Sequence, residues 1–350
     1  MTVRLGLVGT GWWATFSHIP AAQADGRAEI VAIADINAER LNAVGERFGI
    51  ARRYASVEEM VAQEKLDGAI ISTPHVVHRQ SAIPVLKAGI HALIEKPMAT
   101  TAEDARAIFD AAQKAVRQVL IPCGYNFTDY TRRAGEIIAA GRIGAVRHVV
   151  CQFATALEDL FGGKPMLETV EHMYRPPAST WADPKRAGGY GWGQMSHSIA
   201  WVYRVAPELK PESVFCFAGK SPTGVDYFDA AAVRCTNGAT MALSGAALLP
   251  KHSRPQLDIR IFGTEGMLVF DAERERLELR RLDGLDEETV ALTPTDADYD
   301  GRAPISAFID VCLGNVSANE ANGENGARVA ETLDAMYRSA ASGVAEKVPA

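Results

Sequence analysis

The residues Gly9-Thr10-Gly11-Trp12-Trp13-Ala14 form a G-x-G-x-x-A turn directly after the apolar run Val3–Val8, and they open a stretch with helical patterning. In such a turn Gly9 permits the tight bend, Gly11 lets the backbone approach a pyrophosphate, and Ala14 keeps the helix close to the strand. Asp35 ends the next apolar run, where a carboxylate accepts both ribose hydroxyls of an adenosine. Turn and carboxylate together predict a dinucleotide site, with Thr10, Trp12 and Trp13 lining it. A glycine-rich turn beside a solvated acid is the plainer reading.

In an open parallel sheet, ligands bind beyond the carboxyl ends of the strands. Those ends read Asp35, Ser72-Thr73-Pro74, Glu95-Lys96-Pro97 and Cys123-Gly124-Tyr125-Asn126. Lys96 is the only basic side chain among them, and Pro97 biases it towards extended backbone. An ammonium there would orient a substrate hydroxyl and stabilise alkoxide charge, unless it is merely a solvated lysine.

A glycine-rich run, Gly188-Gly189-Tyr190-Gly191-Trp192-Gly193-Gln194-Met195-Ser196-His197, leads into an apolar helix. Met195, Ile199, Val202 and Ala206 share one stripe and His197 lies off it, which argues against a packed core histidine, although a lone histidine on such a helix is structural as often as not. Upstream, the irregular stretch 158–190 carries Tyr174, Arg175, Trp181 and Lys185. Aromatic faces stack on sugar rings and basic groups grip polar substituents, although Trp181 could instead anchor the loop. His75-Val76-Val77-His78 has ligand-like spacing without an evident third ligand, so no metal is expected.

These residues need a scaffold. Apolar runs at 3–8, 30–34, 68–71, 90–94 and 118–121 alternate with helical stretches. Ser56 before Glu59 and Thr100 before Glu103 have capping-box spacing. Near-continuous apolar strands separated by helices predict a doubly wound α/β unit with a parallel sheet over residues 1–122. From 123 to 350 the pattern becomes a helix at 130–140 followed by strands at 147–153, 214–218, 230–235, 240–249, 257–262, 267–270 and 277–281. A helix near Trp201 interrupts them, and two more near 305–313 and 327–341 close the chain. Turn signals such as Thr236-Asn237-Gly238 predict a mostly antiparallel α+β domain there.

The 350 residues carry 36 Lys and Arg against 43 Asp and Glu, a net charge of −7 that argues against broad nucleic-acid binding and anionic membrane surfaces. Five scattered cysteines with no C-x-x-C pair read as reduced thiols. With no signal-like N-terminus and no long apolar run, the expected compartment is the cytoplasm.

The glycine turn with Asp35, Ser72-Thr73-Pro74 with His78, Glu95-Lys96-Pro97, Gly124-Tyr125-Asn126, Gly188-Gly189 with His197, and Gly263-Thr264-Glu265-Gly266 together resemble the Gfo/Idh/MocA oxidoreductases. The resemblance spans essentially the whole chain. It implies a nicotinamide-dependent enzyme that moves a hydride to or from a sugar, polyol or inositol derivative; Asp35 followed by Ile36 offers nothing to welcome a 2′-phosphate, so NAD is expected, with NADP less favoured. Lys96 and His197 match the family's active-site lysine and histidine. Gly9, Thr10, Gly11, Trp12, Trp13, Asp35, Ser72, Thr73, Pro74, His78, Glu95, Lys96 and Asn126 would hold the cofactor. Lys96, Tyr125, Tyr174, Arg175, Trp181, Gln194 and His197 would meet the substrate. An open-faced sheet in the second domain implies a homodimer or homotetramer. Two departures stand out: Gly193 replaces an aspartate common four residues before the histidine, and no arginine follows Asn126 closely. Two rival readings within the resemblance are a glycosidase working through transient oxidation and a non-catalytic sugar or nucleotide sensor.

Overall fold

The computed structural model describes residues 2–293, 296 and 298–349. The chain divides into two compact units. One comprises residues 2–124, Pro165–Thr180 and Asp300–Ala327; the other comprises Tyr125–Lys164, Trp181–Tyr299 and residues 328–349. Segments 165–180 and 300–327 thus return to pack with the first unit.

In the first unit six strands form one parallel sheet: β1 (Val3–Val8), β2 (Ala28–Ala34), β3 (Arg52–Tyr54), β4 (Gly68–Ile71), β5 (His91–Ile94) and β6 (Val119–Leu120). Their order, β3-β2-β1-β4-β5-β6, reverses direction at β1, which opens a crevice beyond the carboxyl ends of β1 and β4. The central strands are buried on both faces, as their continuous apolar runs require. Sequence reading misses β3, whose Arg-Arg-Tyr is half-exposed and polar at the sheet edge.

The helix Ala303–Cys312 completes this unit by packing on β4. A Cβ at Gly68 would stand 2.7 Å from Cys312 Sγ and 2.8 Å from the Phe308 ring, so that close approach depends on glycine. Ser56 caps the helix Val57–Gln63 as expected, accepting from Glu59 N. The next expected cap shifts by one residue: Thr101, not Thr100, accepts from Asp104 N to start the helix Ala102–Ala115.

The second unit holds a nine-stranded sheet of β7 (Val146–Ala154), β8 (Pro211–Lys220), β9 (Asp226–Cys235), β10 (Thr240–Ala246), β11 (Gln256–Gly263), β12 (Gly266–Asp271), β13 (Arg276–Arg281), β14 (Glu288–Ala291) and β15 (Glu346–Lys347), in the order β14-β13-β12-β11-β7-β10-β9-β8-β15. Only β7 and β10 pair in parallel. From Tyr227 onward in β9, and along β10, side chains alternate between buried and more exposed, so one face is covered and the other open. The covered face carries the helices Asp129–Ala139 and Ser196–Val205. There Trp201 stacks on Phe270 at 5.0 Å while its indole N–H donates to Thr131 Oγ1 at 2.7 Å, which satisfies a buried donor.

Candidate active site

In the first unit the turn after β1 is built to leave its front clear. Gly9 has φ +88°, and a Cβ there would meet Ser72 O at 2.7 Å. At Gly11 a Cβ would meet nothing within 4 Å, so no protein packing accounts for the missing side chain. The bare backbone faces open space at the head of a helix, where a pyrophosphate fits. Trp12 and Trp13 are half-buried beside it, as are Ser72, Thr73 and Pro74 after β4.

Asp35 sits at the end of β2 and is already heavily engaged. Its Oδ2 accepts from Thr10 N and Thr10 Oγ1, both at 2.8 Å, and from Arg40 Nε at 3.1 Å. Its Oδ1 accepts from Asn37 N and Arg40 Nη2, each at 2.8 Å. Burial raises the carboxyl pKa, but these donors outweigh it and hold the group below its ordinary range. Thr10, fully buried, therefore acts as a prop for Asp35. A ligand hydroxyl reaching Asp35 would share the carboxylate with the guanidinium of Arg40, the only one of these donors on a partly exposed side chain.

Lys96 follows β5 with only 9 % of its surface exposed, and its bond to Pro97 is cis. Burial lowers its pKa, while the charge of Glu95 pulls it back part of the way. Glu95 accepts from the Lys96 backbone N–H at 3.1 Å and lies 2.8 Å from His18 Nε2. Burial would raise the Glu95 carboxyl, yet the His18 bond and the Lys96 charge hold it below its usual value. His78 was expected to touch the cofactor, but it is completely buried, and its ring nitrogens lie 2.9 Å from Pro97 O and Thr73 O. It braces the loops after β4 and β5 from behind. Burial pushes its pKa down, while the two carbonyls pull it part of the way back.

The second unit gathers a different group. Around His197, Tyr125 lies at 6.1 Å, Tyr299 at 5.2 Å and Phe153 at 6.5 Å between ring centres, each close to edge-on. The helix Ser196–Val205 is buried nearly all round, so the off-stripe argument for His197 fails: the histidine is itself buried. Its claim to function rests on the two tyrosines beside it. Gln194 is half-buried, in the short π-helix Gly191–Met195 that precedes the histidine.

Gly193 is explained by packing. A Cβ there would stand 2.8 Å from the Phe161 ring and 3.2 Å from Trp181, and those two rings meet edge-on at 6.2 Å. They fill the space that a side chain at 193 would need. Trp181 is thus an anchor, the competing reading of that residue.

Other expected residues are redistributed. Tyr174 and Arg175 belong to the dinucleotide-binding unit, and Tyr174 lies within electrostatic reach of Arg40, Asp35 and Glu39. Asn126, expected at the cofactor, is fully buried in the second unit and donates to Ala200 O at 3.3 Å. Sequence reading missed His18, Phe161, His172 and Tyr299. His18 had one available signal: it lies four residues beyond Ala14, on the same face of the first helix as the residue that must approach the sheet. Among the described residues no cluster of three metal-ligating side chains occurs, and no helix is long and apolar enough to cross a membrane.

Comparison with known proteins gives two family matches along the chain. Residues 3–122 fit the oxidoreductase family with an NAD-binding Rossmann fold, and residues 131–269 fit the GFO/IDH/MocA C-terminal domain. The chain is 27 % identical to D-apiose dehydrogenase of Paraburkholderia graminis over 96 % of its own length and 87 % of that protein. It is 27 % identical to 1,5-anhydro-D-fructose reductase of Ensifer adhaerens over 99 % and 98 % of the two chains. The crystal structure of the WlbA dehydrogenase from Bordetella pertussis, in complex with NADH and UDP-GlcNAcA, superposes over the full length of both chains with a TM-score of 0.77 at 26 % identity. A glycine turn with an open front, a ribose carboxylate at the next strand end and a desolvated Glu-Lys-Pro lysine thus sit in a chain matched in both its parts, and the protein belongs to the Gfo/Idh/MocA family of NAD-binding oxidoreductases.

Proposed function

We propose that the protein transfers a hydride between NAD and a hydroxyl-bearing carbon of a carbohydrate or polyol. The desolvated Lys96 at the end of β5 carries this reading: a buried ammonium beside a cofactor crevice suits a neutral, hydroxyl-rich substrate whose oxygen gains charge during reaction. Relatives named for D-apiose and 1,5-anhydro-D-fructose support that substrate class.

Bound NAD supplies the hydride acceptor or donor. Lys96 orients the reacting hydroxyl and stabilises its alkoxide character. His197 takes the proton in the oxidative direction, and Tyr125 and Tyr299 beside it supply hydroxyls for the substrate or for the proton's onward path. Gly193 leaves no carboxylate at that position, and Tyr125, Tyr299 and Phe153 pack edge-on around the histidine.

The protein is further proposed to work in the cytoplasm as a homodimer or homotetramer. The open face of the nine-stranded sheet supports the assembly, because Ala230, Ala232, Ala242 and the exposed rings of Phe217 and Phe228 make it flat and apolar.

Incubation with NAD and a panel of sugars and polyols tests the activity, read by NADH absorbance and by product analysis. Net NADH formation with a matching carbonyl product is the expected result. Cleavage of a glycoside without net NADH would make the protein a glycosidase. Sugar binding with neither outcome would make it a sensor.

A further inference from the structure

The segment Pro165–Thr180 packs with the dinucleotide-binding unit although it lies more than a hundred residues from the glycine turn. The Trp12 indole N–H donates to His172 Nδ1 at 2.9 Å, and the His172 ring stacks on Phe16 at 4.0 Å. Two residues on, Tyr174 comes within electrostatic reach of Arg40 and Asp35. Residues 172–174 thus continue from the turn that approaches a pyrophosphate, where His172 is fixed, and the charges of Arg40 and Asp35 are felt at Tyr174. Beside that carboxylate, Ile36 is 94 % exposed, and Met173 in the segment is 40 % exposed. Large apolar side chains left open at a ribose site suit the flat face of a purine.

We propose that His172 and Tyr174 are cofactor-binding residues, and that Pro165–Thr180, pinned through the Trp12–His172 bond, straps the AMP half of the dinucleotide. The ligand it recognises is an adenine nucleotide with a free ribose diol at Asp35. His172 holds the strap to the turn. Tyr174 presents its ring and hydroxyl to the ribose, and the strap must open before the dinucleotide leaves. This inference rests on the NAD-binding unit alone and is independent of the substrate proposed above.

The test uses full-length protein and three probes: NADH, ADP-ribose and nicotinamide mononucleotide. His172→Ala and Tyr174→Ala should each weaken NADH and ADP-ribose by about tenfold, mainly through faster release, with nicotinamide mononucleotide unaffected. ADP-ribose should also slow amide exchange across residues 165–180 in the parent protein. The milder Tyr174→Phe separates ring from hydroxyl and guards against a folding defect in the alanine variants. Unchanged NADH affinity and release in both alanine variants would overturn the proposal. So would equal losses for ADP-ribose and nicotinamide mononucleotide, or no protection of the segment by ADP-ribose.

Discussion

The Glu95 carboxylate joins His18 to Lys96: one oxygen lies 2.8 Å from His18 Nε2 while the other accepts the Lys96 backbone N–H at 3.1 Å. Through it, the helix that follows the glycine turn is tied to the lysine at the end of β5. Cofactor seat and proposed catalytic group therefore share one buried support.

That support makes the lysine's ionisation depend on its neighbour. Burial lowers the Lys96 pKa and the Glu95 charge raises it, so Glu95→Gln should lower it further. Activity requiring the ammonium is lost as pH rises through that value, and the alkaline limb of kcat/KM should move to lower pH. A pH profile that superposes on the parent's would separate Glu95 from Lys96.

Arg40 competes with the ribose for Asp35. In Arg40→Ala, Thr10 and Asn37 still hold the carboxylate while its remaining lone pairs are released. NAD should bind more tightly. NADP should bind more weakly, because a 2′-phosphate loses its nearest guanidinium, and the affinity ratio should shift by about tenfold. Equal changes for both dinucleotides would show that Arg40 plays no part in the choice.

Asp35 also contributes to acid stability. Its pKa in the fold lies below the ordinary value, so its bonds stabilise fully above about pH 4, the unfolded value, and are lost as pH falls through the folded one. Asp35→Asn should lower Tm at neutral pH, and the two melting curves should converge in acid. A constant difference across the range would mean the charge is immaterial.

His197→Ala should reduce kcat by about 10²–10⁴, the effect of losing a general base. Lys96→Arg should not replace the parent residue, since a planar fork does not mimic a compact ammonium. Tyr299→Phe keeps the ring beside His197 and should change KM more than kcat. Near-normal turnover in His197→Ala would leave the histidine structural.

Gly193→Ala should destabilise the protein by about 1–3 kcal/mol, the usual cost of overpacking, because its Cβ would press on Phe161 and Trp181. Pairing it with Phe161→Leu should recover part of that loss. Thermal melts of the single and double variants give the comparison, and an unaffected single variant would mean the rings yield freely.

The first unit was legible because its signals are local. A glycine turn, an acid at a strand end and continuous apolar strands each announce themselves within a few residues. Edge strand β3 was not, since Arg52-Arg53-Tyr54 has no apolar alternation. No stripe separates core from site around His197, because its helix is buried on nearly every side. Tyr299 and His172 lie in irregular segments where spacing carries no information; only long-range packing brings one to His197 and the other to Trp12. Tyr174 and Arg175 lie close in sequence to the glycines before His197, and only long-range packing shows that their segment folds with the cofactor unit.

The two-residue strand β6 is secured from far along the chain. Ile121 N donates to Ala321 O at 2.8 Å, and the Asn319 side chain donates to Val119 O at 2.9 Å. A ribosome making this protein must therefore extend some two hundred residues past β6 before the edge of the first sheet can close. Folding cannot simply proceed one unit at a time in order of synthesis, because neither unit is a continuous stretch. Residues 1–122, cut out as a ready-made nucleotide-binding module, would expose β4 and β6 where Phe308 and Ala321 belong, and should aggregate where the whole chain does not.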